Sequence, residues 1–265
     1  MSVALKVDGV SLAFGGVQAL RDVSFTVKPG QIFAIIGPNG AGKTTILNVI
    51  TRVFDAHAGT ILVGDTDITR APRHTIVRHG VARTFQNIEL FERATVMDNL
   101  LVGRHQTLDT RFWTELFNLP SVQRAEADAR RRIEDIIDLL ALAPYRSTPV
   151  GALPYGIRKV VELARALAAE PKLLLLDEPA SGLNPEERRD LGFWIEDIRA
   201  EMGATIVMIE HDMALVEQVS DHVLVMNQGM VLAQGSAAEI RGNPLVTEAY
   251  LGAAPSLSEG EAVRV

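Results

Sequence analysis

The sequence predicts an α/β fold in which a parallel sheet carries helices on both faces. In the second half of the chain, strongly apolar runs alternate with segments of helical spacing, which is typical of parallel strands buried on both sides. Short β-rich runs separated by glycine-containing turns fill the first quarter and predict a separate antiparallel part. Residues 97–142 have helical spacing and predict an inserted helical part.

Each element is predicted from its own composition. Strands are expected at 5–7, 23–27, 32–36, 61–63, 173–176, 205–209 and 223–226, where apolar and β-branched residues cluster. Helices are expected to begin near Tyr155, Pro185 and Met213. Asn184 and Glu187 flank Pro185 with the spacing of a capping box, and this is the strongest helix start in the chain.

Composition excludes several classes of protein. The 265 residues are 47% hydrophobic, which is ample for a core. The absence of cysteine excludes disulfides and thiolate metal sites, and the net charge of −7 argues against a surface that coats nucleic acid. No stretch approaches the roughly 20 apolar residues of a membrane helix. If the protein serves a membrane, we expect another chain to span it.

The most specific motif is a glycine-rich loop, G-x-x-x-x-G-K-T, that follows an apolar strand and precedes a helix. Its glycines allow close approach to phosphates and its N–H groups form an anion nest. Lys43 is expected to reach the terminal phosphates, and the Thr44 hydroxyl to ligate Mg²⁺. The motif therefore predicts nucleotide binding. The candidate contact residues are Gly37, Pro38, Asn39, Gly40, Ala41, Gly42, Lys43, Thr44 and Thr45.

Two acids close the most apolar strand of the chain. Asp177 and Glu178 follow four leucines, so both are expected at the carboxyl edge of the sheet. Beside a phosphate loop, Asp177 is suited to hold Mg²⁺ and Glu178 to polarise an attacking water. His211 follows the strand at 205–209 and is expected at the same edge, although a strand-end histidine is also common as a structural residue. Glu210 and Asp212, on either side of His211, are not expected to bind a metal, because no further ligand segment accompanies them.

The segment "GALPYGIRK" opens a helix with two cations, Arg158 and Lys159. The amino end of a helix carries partial positive charge, so these cations predict that an anion lies nearby. Phe14, before two glycines, is suited equally to stacking on a base and to a core position. Gln86 is suited to a surface position at a domain boundary.

The order of the phosphate loop, the helical insert, "LPYG", "LLLLDEP", "SGLNP" and "IEHD" resembles the ATP-binding-cassette (ABC) ATPases over residues 3–252. The resemblance implies a P-loop NTPase fold with a RecA-like parallel sheet. It implies a single ABC ATPase domain at 1–252, with a nucleotide-binding core and antiparallel β subdomain at 1–85 and 155–252. It also implies a helical subdomain at 86–154 and a flexible tail at 253–265.

The same resemblance implies roles for the candidate residues, with ATP and Mg²⁺ as ligands. Phe14 takes the adenine-stacking position, and Gln86 the lid glutamine that couples the metal to a membrane partner. Lys43, Glu178 and His211 become catalytic, and Mg²⁺ is held by Thr44, Gln86 and Asp177. The signature loop, which contacts ATP on another subunit, comprises Leu153, Pro154, Tyr155, Gly156, Ile157 and Arg158. The D-loop comprises Ser181, Gly182, Leu183 and Asn184.

A narrower resemblance is to the LivG-type ATPase subunits of branched-chain amino acid importers. It is carried by "VARTFQNIELFERATVMDNLLVGRHQ", the insert with Phe112, Trp113 and Phe117, "LPYG" and the final "AYLG". It implies a peripheral protein on the cytoplasmic face of the inner membrane, in a homodimer or, more in keeping with the family, a heterodimer with a second ABC ATPase. Further implied partners are two permease subunits and, indirectly, a periplasmic solute-binding protein; nucleic acid is not expected.

Alternative functions stay open at this point. Related importers of urea, amides or other amino acids use similar ATPases. A P-loop ATPase that acts on DNA or the ribosome is a rival from another class, but the long coiled-coil insertion and basic surface expected of it are absent from the sequence. A nucleotide-sensing regulator is a second rival, against which the intact Asp177, Glu178 and His211 argue.

The signature loop departs from the family pattern at three positions. Pro154 stands where the usual motif has serine, Tyr155 where it has glycine, and Ile157 where it has glutamine. Proline lacks both a hydroxyl and an N–H, and a hydrogen bond to a charged group contributes about 1.5–3 kcal/mol. The site that this chain completes on another subunit is therefore expected to be weaker than usual. Pro154 is expected in the first turn of its helix.

Overall fold

The computed structural model describes residues 2–84, 88–105 and 120–251. The strands in these ranges are β1 (Leu5–Phe14), β2 (Val17–Val27), β3 (Ile32–Ile36), β4 (Ala58–Val63), β5 (Thr66–Asp67), β6 (Val81–Arg83), β7 (Leu173–Asp177), β8 (Thr205–Ile209), β9 (His222–Asn227) and β10 (Met230–Gly235). The α-helices are α1 (Lys43–Ile50), α2 (Val96–His105), α3 (Pro120–Leu139), α4 (Tyr155–Leu167), α5 (Pro185–Met202), α6 (Met213–Val219), α7 (Ala237–Arg241) and α8 (Pro244–Leu251). Short 3-10 helices lie at Arg73–His79, Ala143–Tyr145 and Val150–Ala152.

The central sheet has six strands in the order β10-β9-β3-β8-β7-β6. β3, β6, β7, β8 and β9 run parallel, and β10 is an antiparallel edge strand. The three central strands β3, β7 and β8 are completely buried, which explains their continuous apolar sequences. Because the strands are parallel, the residues that follow each of them meet at one edge of the sheet.

The two faces of this sheet pack into different cores. Alternate residues such as Ala34, Leu174 and Met208 face one core, which is built with residues of α2 to α8. Their neighbours, such as Phe33 and Leu175, face a second core formed with α1 and the strands of the first quarter. The predicted helical cover is thus found in full on one face, whereas α1 shares the other face with a β-sheet.

That second sheet is antiparallel, with strand order β2-β1-β4-β5, as the sequence predicts. Its first two strands are longer than the runs predicted at 5–7 and 23–27. In β1 the Asp8-Gly9 pair is typical of a turn, but Gly9 has φ 63° and the pairing register shifts there. A β-bulge therefore lets the strand continue through residues that would otherwise end it.

The predicted helix starts at Tyr155, Pro185 and Met213 are confirmed. Asn184 accepts hydrogen bonds from the backbone N–H groups of Glu186 and Glu187, and the Glu187 carboxylate accepts one from the Asn184 N–H, so the predicted capping box forms. Within the described ranges, no helix is both long and apolar enough to cross a membrane.

Candidate functional site

The glycine-rich loop connects β3 to α1 at the carboxyl edge of the central sheet. Gly42 is the N-cap of α1, so Lys43, Thr44 and Thr45 form the first helical turn. The N–H groups of a first helical turn have no partner within the helix and carry partial positive charge. The loop therefore presents an anion-binding helix end directly after a buried strand.

Close backbone contacts require the glycines of this loop. A Cβ atom at Gly37 would lie 2.1 Å from the carbonyl oxygen of Met226 in β9. At Gly42, where φ is 98°, a Cβ atom would lie 2.8 Å from the carbonyl oxygen of Ala19 in β2. The Gly229 N–H donates to the Ala41 carbonyl oxygen at 3.0 Å. Backbone of both sheets thus fixes the shape of the loop.

Lys43 lies inside the loop and is only 6% exposed. Its Nζ donates to the carbonyl oxygens of Gly37 at 2.8 Å and Pro38 at 3.0 Å. Burial lowers the pKa of Lys43, while the nearby charges of Glu178 and Asp177 act in the opposite direction. The ammonium group is therefore held among carbonyl oxygens and two carboxylates, in a position to attract phosphate oxygens.

The structure brings Glu178 and His211 together, as expected from their positions after two neighbouring strands. The Nε2 atom of His211 lies 2.9 Å from Oε1 of Glu178. The Glu178 N–H donates to the Ile209 carbonyl oxygen, and Glu178 has a φ of 51°, in the left-handed region that non-glycine residues rarely occupy. Backbone pairing therefore holds Glu178 in an unusual backbone conformation, from which its carboxylate reaches the histidine.

Asp177 is 2% exposed and ends β7 beside Glu178. Its Oδ2 atom accepts a hydrogen bond from Arg83 at 2.6 Å, whereas its buried Oδ1 atom has no hydrogen-bond partner among the described residues. Carboxylate and hydroxyl oxygens are the ligands that Mg²⁺ prefers, and Asp177 and Thr44 supply both kinds. The donor set and the unsatisfied oxygen fit a divalent cation at this edge.

Glu210 is a buried carboxylate whose role the sequence did not indicate. One of its oxygens accepts from the Ala180 N–H at 2.7 Å, and the other from the His211 N–H at 3.0 Å. Burial raises the pKa of Glu210, and these backbone N–H groups, with that of Asp212, oppose the rise. Glu210 therefore ties the segment after β7 to the segment after β8 and so aligns Glu178 with His211.

The signature segment places Pro154 at the N-cap of α4, one residue before the helix begins, and not within its first turn as expected. Leu153 and Gly156 are buried, while Pro154 and Tyr155 are exposed. No side chain caps the helix from the Pro154 position, because proline has no polar group to do so. Ile157 and Arg158 are partly buried.

An anion does lie at the start of α4, and it belongs to the same chain. A Cβ atom at Gly156 would lie 2.2 Å from Oε1 of Glu187, so this carboxylate is pressed against the helix start. Tyr155 packs on the predicted D-loop, because a Cβ atom at Gly182 would lie 2.7 Å from its ring. The Tyr155 hydroxyl also donates to the Ser181 carbonyl oxygen at 3.4 Å. The predicted signature and D-loops therefore form one junction.

Two candidate residues remain to be placed, Phe14 and Gln86. Phe14 is 45% exposed at the end of β1, and its ring makes an edge contact with Phe54 at 5.0 Å between centroids. That exposure is compatible with base stacking. Gln86 lies outside the described residues, as do Phe112, Trp113, Phe117 and the tail at 253–265.

Tyr250, in the last helix α8, is a further neighbour of the phosphate loop that the motifs did not reveal. Burial raises the pKa of Tyr250, and the backbone N–H of Gly37 opposes the rise. Gly37 and Tyr250 are separated by most of the chain, so only the fold brings them together.

Comparisons with known proteins place the chain in a family. A family model described as ABC transporter matches residues 20–181, and one described as branched-chain amino acid ATP-binding cassette transporter matches residues 230–255. The high-affinity branched-chain amino acid transport ATP-binding protein BraF of Pseudomonas aeruginosa is 42% identical over 94% of this chain and 98% of its own length. LivG of Escherichia coli, which has the same description, gives the same values.

Solved structures of ATP-binding cassettes are similar as well. The ADP conformation of a cassette from an ABC transporter has a TM-score of 0.83 and 31% identity, with 95% of this chain and 100% of that chain covered. A nucleotide-free cassette has a TM-score of 0.81 and 31% identity, with 94% of this chain and 98% of that chain covered.

The junction at Gly182 leads to a stability prediction. Gly182 has φ 79° and no room for a Cβ atom, whereas Gly203 has φ 62° and no atom within 4 Å of that position. We expect Gly203→Ala to cost about 1–2 kcal/mol of unfolding free energy from backbone strain alone, and Gly182→Ala to cost more because it also strikes Tyr155. Urea denaturation measures both. In a Tyr155→Ala background the excess should disappear, and equal losses in the parent background would contradict the packing.

Proposed function

Since the chain belongs to the ABC transporter family of ATP-binding proteins, in the branch of LivG and BraF, we propose that its ATPase activity drives an importer of branched-chain amino acids. The substrate class comes from the names of its relatives and from the family model matched at 230–255. ATP is the nucleotide of this family. The solute itself is handled by other chains.

One observation above all supports ATP hydrolysis. The phosphate loop, the Asp177-Glu178 pair and His211 each follow one of three adjacent strands, and Glu178 lies 2.9 Å from His211. A carboxylate beside a phosphate site is suited to accept a proton from an attacking water. A histidine at hydrogen-bond distance is suited to orient that carboxylate and to contact a phosphate oxygen. These are the parts that phosphoryl transfer to water requires.

In this proposal the chain binds the phosphates of ATP, orients the reacting groups and accepts one proton from water. Bound ATP with its Mg²⁺ supplies the phosphoanhydride bond and a cation that neutralises developing charge. The first-turn N–H groups of α1 and the Lys43 ammonium bind the phosphates. Glu178 accepts the proton of water at a carboxylate oxygen, and His211 keeps that oxygen in place. Glu210 positions both through the backbone.

Mg²⁺ is assigned to the same edge. Thr44 and Asp177 supply the hydroxyl and carboxylate oxygens, and Gln86 is the third proposed ligand by resemblance. The unpartnered Oδ1 of Asp177 supports this assignment. Phe14, exposed at the end of β1, is proposed to stack on adenine.

We assign the signature loop to the ATP of a second subunit. In a dimer of such ATPases, the start of α4 meets nucleotide held by the partner's phosphate loop, and residues 181–184 lie beside it. Pro154 provides no hydroxyl at this contact, so both ATP sites of a homodimer lack the same hydrogen bond. A heterodimer with a different ABC ATPase avoids this repetition and is the assembly we favour.

Two permease subunits and a periplasmic solute-binding protein complete the proposed importer, with this chain on the cytoplasmic face of the inner membrane. A groove of about 930 Å³ between the 3-10 helix Arg73–His79, β6, α2 and α4 is suited to a permease segment. Its lining combines apolar side chains with charged ones, among them Arg78, Arg165, Glu89 and Glu162. Residues 86–154 are proposed as the helical subdomain that moves with this contact.

Transport by the assembled complex tests the function. The complex is purified from its native membranes, its chains are identified, and ATP-driven uptake of leucine, isoleucine, valine and urea is measured in vesicles. We expect uptake of the three amino acids and none when Lys43 is replaced by alanine. Uptake of urea alone, or ATP hydrolysis without uptake of any of the three amino acids, would overturn the substrate class.

Glu178→Gln is expected to preserve ATP binding and to reduce hydrolysis by about 10²–10⁴-fold, because the amide cannot accept a proton from water. Equilibrium dialysis measures affinity, and phosphate release measures hydrolysis. Asp65→Asn, at an exposed turn, is the matched control and should keep the parent rate. Phosphate release by Glu178→Gln at the parent rate would remove Glu178 from the mechanism.

Pro154→Ser is expected to strengthen ATP-dependent dimerisation by about tenfold, since one added hydrogen bond to a charged group contributes about 1.5 kcal/mol or more. Sedimentation velocity in a Glu178→Gln background measures the dimer without turnover. Pro154→Ala restores the N–H without a hydroxyl and separates the two contributions. Unchanged association of the serine variant would exclude a role for the hydroxyl.

A further inference from the structure

Arg83 forms a buried ion pair with the carboxylate proposed to hold the metal. One guanidinium nitrogen lies 2.6 Å from Oδ2 of Asp177, and the side chains are 6% and 2% exposed. The two residues lie 94 positions apart and meet because β6 pairs in parallel with β7, which places both at the carboxyl edge. Removing two charges from water is costly, and a close contact with additional hydrogen bonds offsets that cost.

Helix α1 fixes the arginine from its other side. The second terminal nitrogen of Arg83 donates to Oδ1 of Asn48 at 2.7 Å and to Oγ1 of Thr51 at 3.2 Å. Asn48 lies in α1, the helix that the phosphate loop opens, and Thr51 is its C-cap. The planar guanidinium therefore spans α1 and β7, which lysine, with a single nitrogen, is poorly suited to do.

The two carboxylate oxygens of Asp177 therefore have different surroundings. Oδ2 is occupied by Arg83, while Oδ1 is buried without a hydrogen-bond partner among the described residues. A charge-assisted hydrogen bond at one oxygen restricts rotation of the carboxylate about its own axis. Oδ1 consequently has a fixed direction before any ligand arrives.

We propose that Arg83 is a positioning residue of the metal site, which holds Asp177 so that Oδ1 is presented to a divalent cation. The inference rests on the proposed function, because that function assigns Mg²⁺ to Asp177. Groups that orient a metal ligand without touching the metal typically change metal affinity by about 10–100-fold when they are replaced.

The first experiment titrates MgCl₂ against ATP binding to the full chain by equilibrium dialysis. We expect Arg83→Gln to raise the Mg²⁺ concentration for half-maximal Mg²⁺-dependent binding by about tenfold. ATP binding in EDTA should not change, since the phosphate loop is intact. Arg83→Lys keeps the charge but loses the two-sided contact, and should give an intermediate shift. Arg104→Gln removes a different arginine ion pair, with Glu170, and serves as the control.

The second experiment needs neither nucleotide nor metal. Thermal unfolding of Arg83→Gln, Asp177→Asn and the double variant forms a double-mutant cycle. Each single variant leaves one buried member of the pair without its partner and should lower the Tm, by about 10 °C for a pair this buried. The double variant should lose clearly less than the sum. If Arg83→Gln does not fold, Arg83→Lys takes its place in both experiments.

The outcomes separate this inference from the proposed function. A parent protein whose ATP binding requires Mg²⁺, together with an Arg83→Gln variant of unchanged Mg²⁺ requirement, would overturn the inference alone. Strictly additive Tm losses would do the same, because they show that the pair does not form. A parent protein that binds ATP with no dependence on Mg²⁺ would overturn the metal assignment and the inference together.

Discussion

The candidate site depends on one backbone ladder, the parallel pairing of β7 with β8. Its register sets Asp177 opposite Ile209, and the Glu178 N–H then donates to the Ile209 carbonyl oxygen. Side chains alternate along a strand, so a slip of one residue would turn Asp177 to the opposite face and carry Glu178 away from His211. A slip in either direction would draw a charged neighbour of β7, Lys172 or Glu178, into a position between the two packed faces of the sheet. Hydrophobic packing at the centre thus fixes polar chemistry at the edge.

The phosphate loop is joined to this ladder through β3 and to the antiparallel sheet through its glycines. Main-chain atoms of Met226 and Ala19 occupy the positions that side chains at Gly37 and Gly42 would need. The loop therefore has its shape before a nucleotide binds, and little ordering entropy is lost on binding. The same contacts join the second sheet to the phosphate loop, because β2 and the β9–β10 turn pack directly against it.

The positions of residues that directly follow apolar strands could be predicted from local sequence, and contacts between distant segments could not. Lys43, Asp177, Glu178 and His211 each follow an apolar strand, and parallel strands end at a shared edge. The sequence does not show that Arg83 reaches Asp177 or that Glu210 bridges two loops, since each contact depends on strand order. The extent of β1 was missed for a local reason, because the bulge at Gly9 has the composition of a turn. Gln86 lies outside the described residues, so its role rests on resemblance.

The start of α4 is less electropositive than its own sequence predicts, because a carboxylate from another helix lies against it. Its two cations and helix dipole predicted an external anion, but the Glu187 carboxylate of the same chain already lies against Gly156. That carboxylate is also held by the Asn184 N–H in the capping box of α5, so one side chain serves two helix starts. Part of the positive potential at α4 is therefore neutralised before any phosphate approaches, and a phosphate gains less there than at an uncompensated helix end. Together with the missing hydroxyl at Pro154, this leaves the geometry of the junction with Tyr155 and Gly182, more than net charge, as the basis for the contact that we propose with a partner's nucleotide.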